Sequence, residues 1–288
     1  MRRTIAAGVD GSPQSVAAAG WAADEAANRG LELRLVHVRD TGAAGPGPVD
    51  AADPARERDR RELAELADGL GRTHPALPVE TAELDGEPVA ELCRAAEEAE
   101  LTVLGSRGLG GIAGFVAGSV SLGVLAHIRR PVVLVGEQRS RTGARAGGET
   151  VVGWDPHGHH DEALDFAFRA AERYGGSLRV VYTWSIPGLF GPDLAGCTSL
   201  LRSDCMGEHE RTMDEALASW AEKYPAVAVR GQCGQGRAAQ ALVEASQHAR
   251  LVVVGRRNRP HGPRGRIGPV AHAVVHHAKA PVAVVPHD

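Results

Sequence analysis

The segment that decides the fold reads Gly105-Ser-Arg-Gly-Leu-Gly-Gly-Ile-Ala-Gly-Phe-Val-Ala-Gly-Ser-Val-Ser-Leu-Gly-Val-Leu-Ala-His-Ile128. It holds seven glycines and a single residue of the Lys, Arg, Asp and Glu types, Arg107. Three structures use glycine at this density: a membrane helix with a small-residue face, a dinucleotide-binding turn, and a loop that cradles phosphate groups. The rest of the chain must choose among them.

The chain repeats itself, with four short segments recurring in the same order. They are Thr4–Asp10 with Thr150–Asp155, Leu31–Val38 with Ser177–Trp184, Leu101–Gly108 with Leu251–Asn258, and Pro131–Val135 with Pro281–Val285. A repeat of this kind predicts two tandem domains, 1–137 and 149–288, joined by the linker 138–148, which lacks apolar periodicity. The extra length of the second copy is expected within Pro187–Cys205.

Each copy alternates short apolar, β-branched runs with alanine-rich helical stretches. Continuous apolar strands between helices predict an α/β fold with a five-stranded parallel sheet in each copy and helices on both faces. The predicted helices are Ser15–Arg29, Arg56–Arg72, Pro88–Ala99, Val120–Ile128 and Asp161–Tyr174. Ligands of such open sheets bind beyond the carboxyl ends of the strands, which directs attention to Asp10 and Gly105.

Two of the three interpretations of the opening segment are disfavoured. The uncharged part, Leu109–Ile128, is dense in glycine, which costs about 1 kcal/mol per residue inside a helix. One marginal span in an otherwise ordinary globular composition does not predict a membrane protein. The match to G-x-G-x-x-A at Gly108–Ala113 follows the fourth strand, whereas the dinucleotide fingerprint belongs on the first strand–helix turn.

The phosphate-cradle interpretation fits the order of the residues. Gly105 and Gly108 allow a sharp turn and a close approach to a ligand after a buried strand. Ser119 is the expected N-cap of the following helix, whose free N–H groups and dipole favour anions. Ser119 and Ser121 are expected to add hydroxyl donors. No Gly-Lys-Ser/Thr is present, so the segment is not the common P-loop.

The spacing Gly105-x₂-Gly108-x₉-Gly118-Ser119 resembles the ATP-binding pattern of the universal stress protein family. The segments Val9–Ser15, Val36–Val38 and Pro131–Val135 resemble its first, second and closing strands. The resemblance covers both halves and implies two tandem Rossmann-like, adenine nucleotide α-hydrolase-like domains with strand order 3-2-1-4-5. It implies ATP as ligand, with adenosine near Gly8, Asp10 and Val38. The residues that it places around ribose and phosphates are Gly105, Arg107, Gly108, Gly118, Ser119, Val120 and Ser121.

The second half departs from this pattern. Asp155, Gly255 and Gly268 are retained, but Asn258 replaces the second glycine and Pro269 replaces the serine. Pro269 lacks a backbone N–H, although proline is welcome at a helix start. Against these losses, the arginines of this loop are candidates for binding an anion by charge; they are Arg256, Arg257, Arg259, Arg264 and Arg266. Nucleotide binding here and a solvated basic loop both stay open.

The sequence predicts a regulator rather than a dedicated enzyme. No G-x-S-x-G elbow appears, and Val9–Ser15 lacks the glycine-rich first loop of the nucleotide α-hydrolases. Asp10 is a candidate ligand for Mg²⁺ beside a triphosphate. An ATP-binding stress-response regulator is therefore expected. The alternatives are a slow ATPase, an enzyme related to those hydrolases, and a nucleotide-independent interaction module on the same fold.

Composition and charge limit the partners and the compartment. The net charge of -4 offers no basic surplus for nucleic acid. The N-terminus lacks the pattern of a signal peptide, so a cytoplasmic protein with four free cysteines is expected, a Cys197–Cys205 disulfide being the alternative. The histidines, among them His157, His272 and His276, are expected at the surface rather than on a metal. The resemblance implies an intramolecular pseudo-dimer through the last strands, with a further homodimer as an option.

Overall fold

A continuous sheet runs through the computed structural model, and helices cover both of its faces. The structure describes residues 3–42, 53–108, 115–116, 118–136, 148–158, 161–184, 197–258 and 267–287. The predicted linker lies outside the described residues except for Gly148, and the extra segment of the second half is described only from Cys197 onward.

The first half alternates strands and helices from its start. Its elements are β1 (Thr4–Gly8), α1 (Pro13–Arg29), β2 (Glu32–Asp40), α2 (Pro54–Thr73), β3 (Val79–Gly86), α3 (Pro88–Glu97), β4 (Leu101–Gly108), β5 (Phe115–Val116), α4 (Ser119–His127) and β6 (Val132–Gly136). The two-residue strand β5 pairs antiparallel with the end of β4 and is an addition to the predicted five strands.

The second half repeats this order. Its elements are β7 (Glu149–Gly153), α5 (Asp161–Tyr174), β8 (Ser177–Trp184), α6 (Cys197–Lys223), β9 (Ala228–Gln235), α7 (Ala238–Ala245), β10 (Ala249–Arg257), α8 (Pro269–His277) and β11 (Val282–His287). Helix α6 has 27 residues where its counterpart α2 has 20. Part of the extra length of the second half is therefore helical rather than loop.

The long strands lie in the order β3-β2-β1-β4-β6-β11-β10-β7-β8-β9. Neighbouring strands are parallel within each half. From the outer edge of the sheet to its centre, each half has its long strands in the order third, second, first, fourth and fifth. The fifth strands of the two halves pair antiparallel, with Val133 opposite Ala283 in the middle of the register. The predicted fold class, two tandem α/β units with helices on both faces, is confirmed.

Alternation along the strands supplies two cores, one on each face of the sheet. Ile5 and Ala7 of β1 pack into the core under α1 and α2, whereas Ala6 between them packs with Leu92 and Val124 on the opposite face. Successive side chains of a strand point to opposite faces, so a strand buried on both sides must be apolar at every position. This requirement explains why a central strand such as β6 is an unbroken apolar run, whereas the outermost strands β3 and β9 carry polar residues.

Short polar residues and proline set where the helices of the first half begin. Ser12 caps α1 by accepting a hydrogen bond from the Ser15 N–H, and Pro13 opens the helix. Glu87 caps α3 by accepting from the N–H groups of Val89 and Ala90. Gly30, with a φ of 63°, ends α1 in the left-handed conformation that glycine adopts without a steric penalty. Both helices begin at the same edge of the sheet, because α1 follows β1, α3 follows β3 and these strands run in the same direction.

Among the described residues, buried polar contacts join the halves at two places besides the β6–β11 pairing. Glu25 of α1 is 2% exposed and accepts hydrogen bonds from Arg173 and from the Tyr174 hydroxyl of α5. Arg256, at the end of β10, is 4% exposed and reaches the carbonyl oxygens at the C-terminal end of α4. Burial lowers the pKa of the Arg256 guanidinium from its usual value.

Replacing Arg256 by methionine should weaken the contact between the halves. The Ala126 and Ile128 carbonyl oxygens would lose a charged donor in a buried setting, which we expect to cost about 2 kcal/mol of unfolding free energy. Urea denaturation followed by circular dichroism would measure it, with the exposed neighbour in Arg257→Met as the matched control. Equal urea midpoints for the two variants would contradict this assignment.

Candidate functional site

The carboxyl ends of β1, β2 and β4 meet the start of α4 at a pocket in the first half. Its volume is about 230 Å³. The residues that line it are Gly8, Val9, Asp10, Ser12, Gln14, Ser15, Val36, Val38, Pro88, Leu92, Leu104, Gly105, Gly118, Ser119, Val120 and Ser121. Eight of the ten residues that the sequence analysis names for the first half therefore lie around one cavity.

Arg107 and Gly108, the other two named residues, end β4. Their backbones pair with Val116 and Phe115 of β5. The chain leaves β4 beside the pocket and returns at Gly118, and residues 109–114 and 117 of that connection lie outside the described residues.

The floor of the pocket is apolar and closely packed. Val36, Leu92 and Leu104 are buried there. Gly8 contributes only backbone atoms to the floor. The packing there leaves no room for a side chain, since a Cβ on Gly8 would lie 2.6 Å from Leu104 Cδ2. A flat, apolar floor of this kind suits a planar ring, whose faces need no hydrogen bonds.

The opposite wall is the N-terminal end of α4. Gly118, with φ -64° and ψ 160°, is the N-cap, so the prediction that Ser119 caps this helix is wrong by one residue. The first intrahelical hydrogen bond runs from Leu122 N–H to Gly118 O. The N–H groups of Ser119, Val120 and Ser121 precede it and have no partner within the helix. Together with the helix dipole they form a site for negative charge.

The two serines of this wall have different roles. Ser119 is exposed in the first turn and lines the pocket. Ser121 is 7% exposed and donates its hydroxyl proton to Gly105 O at 3.0 Å. The expectation that both hydroxyls serve as ligand donors is therefore corrected: Ser121 ties the start of α4 to the end of β4.

Gly105 is needed for packing. A Cβ at Gly105 would lie 2.8 Å from Gln14 C and 2.9 Å from both Gln14 O and Ser15 N, all backbone atoms of the first turn of α1. The sequence analysis expected this glycine to allow a ligand to approach. In the structure it first allows α1 to approach, and so brings the Gln14 and Ser15 side of the pocket into place.

Asp10 connects the end of β1 to α1. Its Oδ1 accepts hydrogen bonds from the Ser12 N–H at 3.1 Å and the Ser12 hydroxyl at 2.5 Å. Its own N–H donates to Ser15 Oγ at 3.2 Å. The carboxylate is exposed at the pocket rim, and its hydrogen bonds to Ser12 orient it there.

The second half holds an equivalent pocket of about 360 Å³ beyond β7, β8 and β10. It is lined by Gly153, Trp154, Asp155, His157, Val181, Tyr182, Thr183, Ala238, Leu242, Val254, Gly255, Val270 and Ala271. Asp155 and Gly255 lie at it as expected. Gly268 does not line this pocket; it is the N-cap of α8, with Pro269 at the first helical position.

Arg256 is not available to a ligand of the second pocket. The sequence analysis counted it among the arginines that bind an anion by charge. The side chain is instead buried against the C-terminal end of α4, as described above, and it also donates to Asn258 Oδ1 at 3.1 Å. Arg259, Arg264 and Arg266 lie outside the described residues, and Arg257 is exposed.

The structure adds lining residues that the sequence analysis did not single out. Pro88 and Leu92 of α3 close one side of the first pocket, and Ala238 and Leu242 of α7 do the same in the second. The spacing of four residues within each pair was the available signal, because such residues share one face of a helix.

The described residues meet neither the requirements of a metal site nor those of a reactive cysteine. No group of three or more His, Cys, Asp and Glu side chains suited to a metal ion occurs among those residues. Cys93 and Cys233 are free and half-buried, and burial is the main cause that raises the pKa of each thiol. A raised pKa leaves less thiolate and a less reactive cysteine. The side chains of Cys197 and Cys205 lie outside the described residues.

The membrane interpretation of the opening segment also finds no support. Helix α4 spans nine residues, where a membrane helix needs about 20. Across the described residues, no helix is both long and apolar enough to cross a bilayer.

Comparison with known proteins gives a consistent result. The family model described as "Universal stress protein family" matches residues 1–136 and again residues 149–286. A universal stress protein of Mycobacterium tuberculosis is 31% identical over 304 residues, covering 99% of this chain and 96% of that protein. One from Mycolicibacterium smegmatis is 32% identical over 295 residues, covering 98% and 96%.

The fold agrees with a solved structure over its whole length. The crystal structure of a universal stress protein from Archaeoglobus fulgidus matches with a TM-score of 0.73, covering 99% of this chain and 98% of that chain. The sequence identity is 20%, so this similarity concerns the arrangement of the chain.

Proposed function

Because this chain belongs to the universal stress protein family, we propose that its first half binds ATP and that the bound nucleotide controls its role in a stress response. The observation that carries the proposal is the pocket itself. The pocket has an apolar floor at Gly8 and Leu104 and a helix N-terminus at Ser119 on another wall. This combination suits a ligand that is aromatic at one end and anionic at the other.

The donor set supports phosphate in particular. The three N–H groups that have no partner within α4 belong to Ser119, Val120 and Ser121, which line one wall, and hydrogen bonds from such groups to an ionised phosphate are among the stronger ones. Asp10 is placed at the rim, where it would hold Mg²⁺ beside the phosphates or accept from the ribose. Arg107, next to Gly108 at the end of β4, is proposed as a further phosphate contact by its place in the motif.

The proposal extends to the organisation of the chain. We divide it into domain 1–137, linker 138–148 and domain 149–288, and we propose that the β6–β11 pairing serves as an internal pseudo-dimer in place of a two-chain contact. The free thiols of Cys93 and Cys233 support a reducing compartment such as the cytoplasm. No catalytic turnover is part of the proposal.

The first experiment measures nucleotide directly. The chain is purified without added nucleotide and denatured, the released compounds are identified, and the protein is titrated with ATP in a calorimeter. We expect one ATP per chain. Valine in place of Gly118 should weaken ATP binding at least about tenfold, because the backbone angles there suit any residue while the new side chain crowds the pocket.

Gly268→Val is the matched control. Gly268 is also a helix N-cap, with φ -58° and ψ 156°, but it does not line the first pocket, and a Cβ there would meet nothing within 4 Å. This variant should bind ATP as the unaltered chain does. A flat ATP titration of the unaltered chain would reject the proposal and favour a nucleotide-independent interaction module on the same fold.

A further inference from the structure

The helix that carries the proposed phosphate wall ends against the second half. Helix α4 begins at the pocket with Ser119 and has nine residues, so it is about 14 Å long. At its far end, Arg256 of β10 donates to the Ala126 carbonyl oxygen at 3.5 Å and to the Ile128 carbonyl oxygen. A cation is favourable at this place, because the helix dipole puts negative charge at the C-terminal end. One end of α4 therefore lies at the pocket and the other is held by the opposite half.

Helix α4 depends on this contact more than its neighbours would. The starts of α1 and α3 are stabilised by side-chain caps, whereas the N-cap of α4, Gly118, offers no side-chain hydrogen bond. Helices this short are marginal on their own. Within the first half, Ser121 ties α4 to Gly105 O at one point. A helix tied at one point can still pivot, and a pivot of α4 would turn its first N–H groups away from the pocket. The contact at the far end fixes its direction.

Arg256 is itself held firmly by the second half. The residue is 4% exposed, and its guanidinium also donates to Asn258 Oδ1 at 3.1 Å. The Asn258 N–H in turn donates to His287 O in β11 at 2.6 Å. Asn258 is the residue that stands in place of the motif's second glycine, Gly108. The departure from the glycine pattern in the second half therefore supplies part of the support for α4.

The support runs in one direction. The registers place Gly105 opposite Val135 and Gly255 opposite Val285, so the next residue of each strand, Ser106 and Arg256, occupies the same place in its half. A serine side chain carries no charge and ends at Oγ, so position 106 offers α8 no equivalent of the arginine. The contact that runs the other way is made by β5, which pairs with the end of β4 and lies against α8. The second half thus borders the first pocket's helix and its neighbouring strand.

We propose that Arg256 is a positioning residue for the nucleotide site of the first half, and that the second half completes that site by fixing the direction of α4. The inference rests on the function proposed for the first half. Coupling between two contacts is reciprocal, so bound ATP should strengthen the contact of Arg256 with α4 by the factor by which Arg256 strengthens ATP binding. The junction of the halves is then the part of the chain that responds to the nucleotide.

The first test compares two ligands in the full chain with Arg256→Met. Calorimetric titration should show ATP binding about tenfold weaker than in the unaltered chain, because the phosphates need the first turn of α4 in place. Adenosine has no phosphate and should keep its affinity within about twofold. Arg256→Lys retains a charge at the end of α4 and should bind ATP within about threefold of the unaltered chain.

Tyr174→Phe is the matched control, because it weakens the other polar contact between the halves. It removes the hydroxyl that donates to the buried Glu25 and leaves the Arg173 donor in place. Neither residue lines the first pocket. This variant should lose stability and keep its ATP affinity within about twofold, which separates positioning of α4 from a general loosening of the halves.

A second measurement needs no ligand. Hydrogen exchange of the ligand-free chain, read by mass spectrometry, reports on the α4 amides, among them the Leu122 N–H that bonds to Gly118 O. In Arg256→Met their exchange should rise at least about tenfold relative to that of β1, and in Tyr174→Phe this ratio should stay as it was.

Three results would overturn the inference: an ATP affinity lowered no more by Arg256→Met than by Tyr174→Phe, equal losses for ATP and adenosine, or an unchanged ratio of α4 to β1 exchange. A flat ATP titration of the unaltered chain would instead reject the function proposed for the first half. The exchange ratio would still decide whether Arg256 fixes α4, so the two failures are distinguishable.

Discussion

Gly105→Ala should destabilise the protein by about 3 kcal/mol, a large effect for the addition of one methyl group. The added Cβ would lie 2.8 Å from Gln14 C and 2.9 Å from Gln14 O and Ser15 N. Real Cβ atoms do not approach so closely, and the neighbours are backbone atoms that cannot rotate aside as a side chain can. The clash can be removed only if the first turn of α1 moves away from β4. Such a movement would disturb the packing of α1 against the core.

Gly20→Ala is the matched control on the same helix. Gly20 lies in the interior of α1, and a Cβ there would meet nothing within 4 Å. Alanine is the better helix former, so this variant should gain about 0.5–1 kcal/mol. Urea unfolding of both variants gives the comparison, and a stability loss at Gly105 no greater than the change at Gly20 would contradict the packing role. The same movement of α1 should weaken ATP binding, because Gln14 and Ser15 line the pocket.

The sequence predicted the fold well because the repeat and the strand pattern are local properties. An unbroken apolar run such as Val132–Val135 admits little besides a strand buried on both faces. The site followed from the fold, since strands that run parallel end at the same edge of the sheet. Asp10 and Gly105 are 95 positions apart in the chain, and that rule alone places them at one pocket.

The parts that the sequence did not predict depend on contacts between distant elements. The sequence around an arginine does not show whether its side chain binds an anion or donates to carbonyl groups at the end of a distant helix. Arg256 does the latter, at the C-terminal end of α4. The hydroxyl of Ser121 likewise has a partner, Gly105 O, that becomes visible only once α4 is docked on β4.

Ser119→Pro should lower ATP affinity by about 100-fold while the protein keeps its fold. The substitution removes two donors from the anion-binding wall, the Ser119 N–H and its hydroxyl. Each charge-assisted hydrogen bond contributes about 1.5–3 kcal/mol, and 1.4 kcal/mol corresponds to a factor of ten. Proline fits at this position: Gly118 before it is extended, with ψ 160°, and α8 already begins with Pro269 after a glycine of ψ 156°.

The comparison that isolates this effect uses two ligands and one intermediate variant. Adenosine has no phosphate, so its affinity for the first pocket should be the same with serine or proline at position 119. Ser119→Ala removes the hydroxyl and keeps the N–H, and should lose about tenfold in ATP affinity. Calorimetric titrations of all three chains, with melting curves beside them, give the result. If a folded chain with Ser119→Pro kept its ATP affinity, the start of α4 would not bind the phosphates. The apolar floor would then be the part of the proposed site that still accounts for ATP binding.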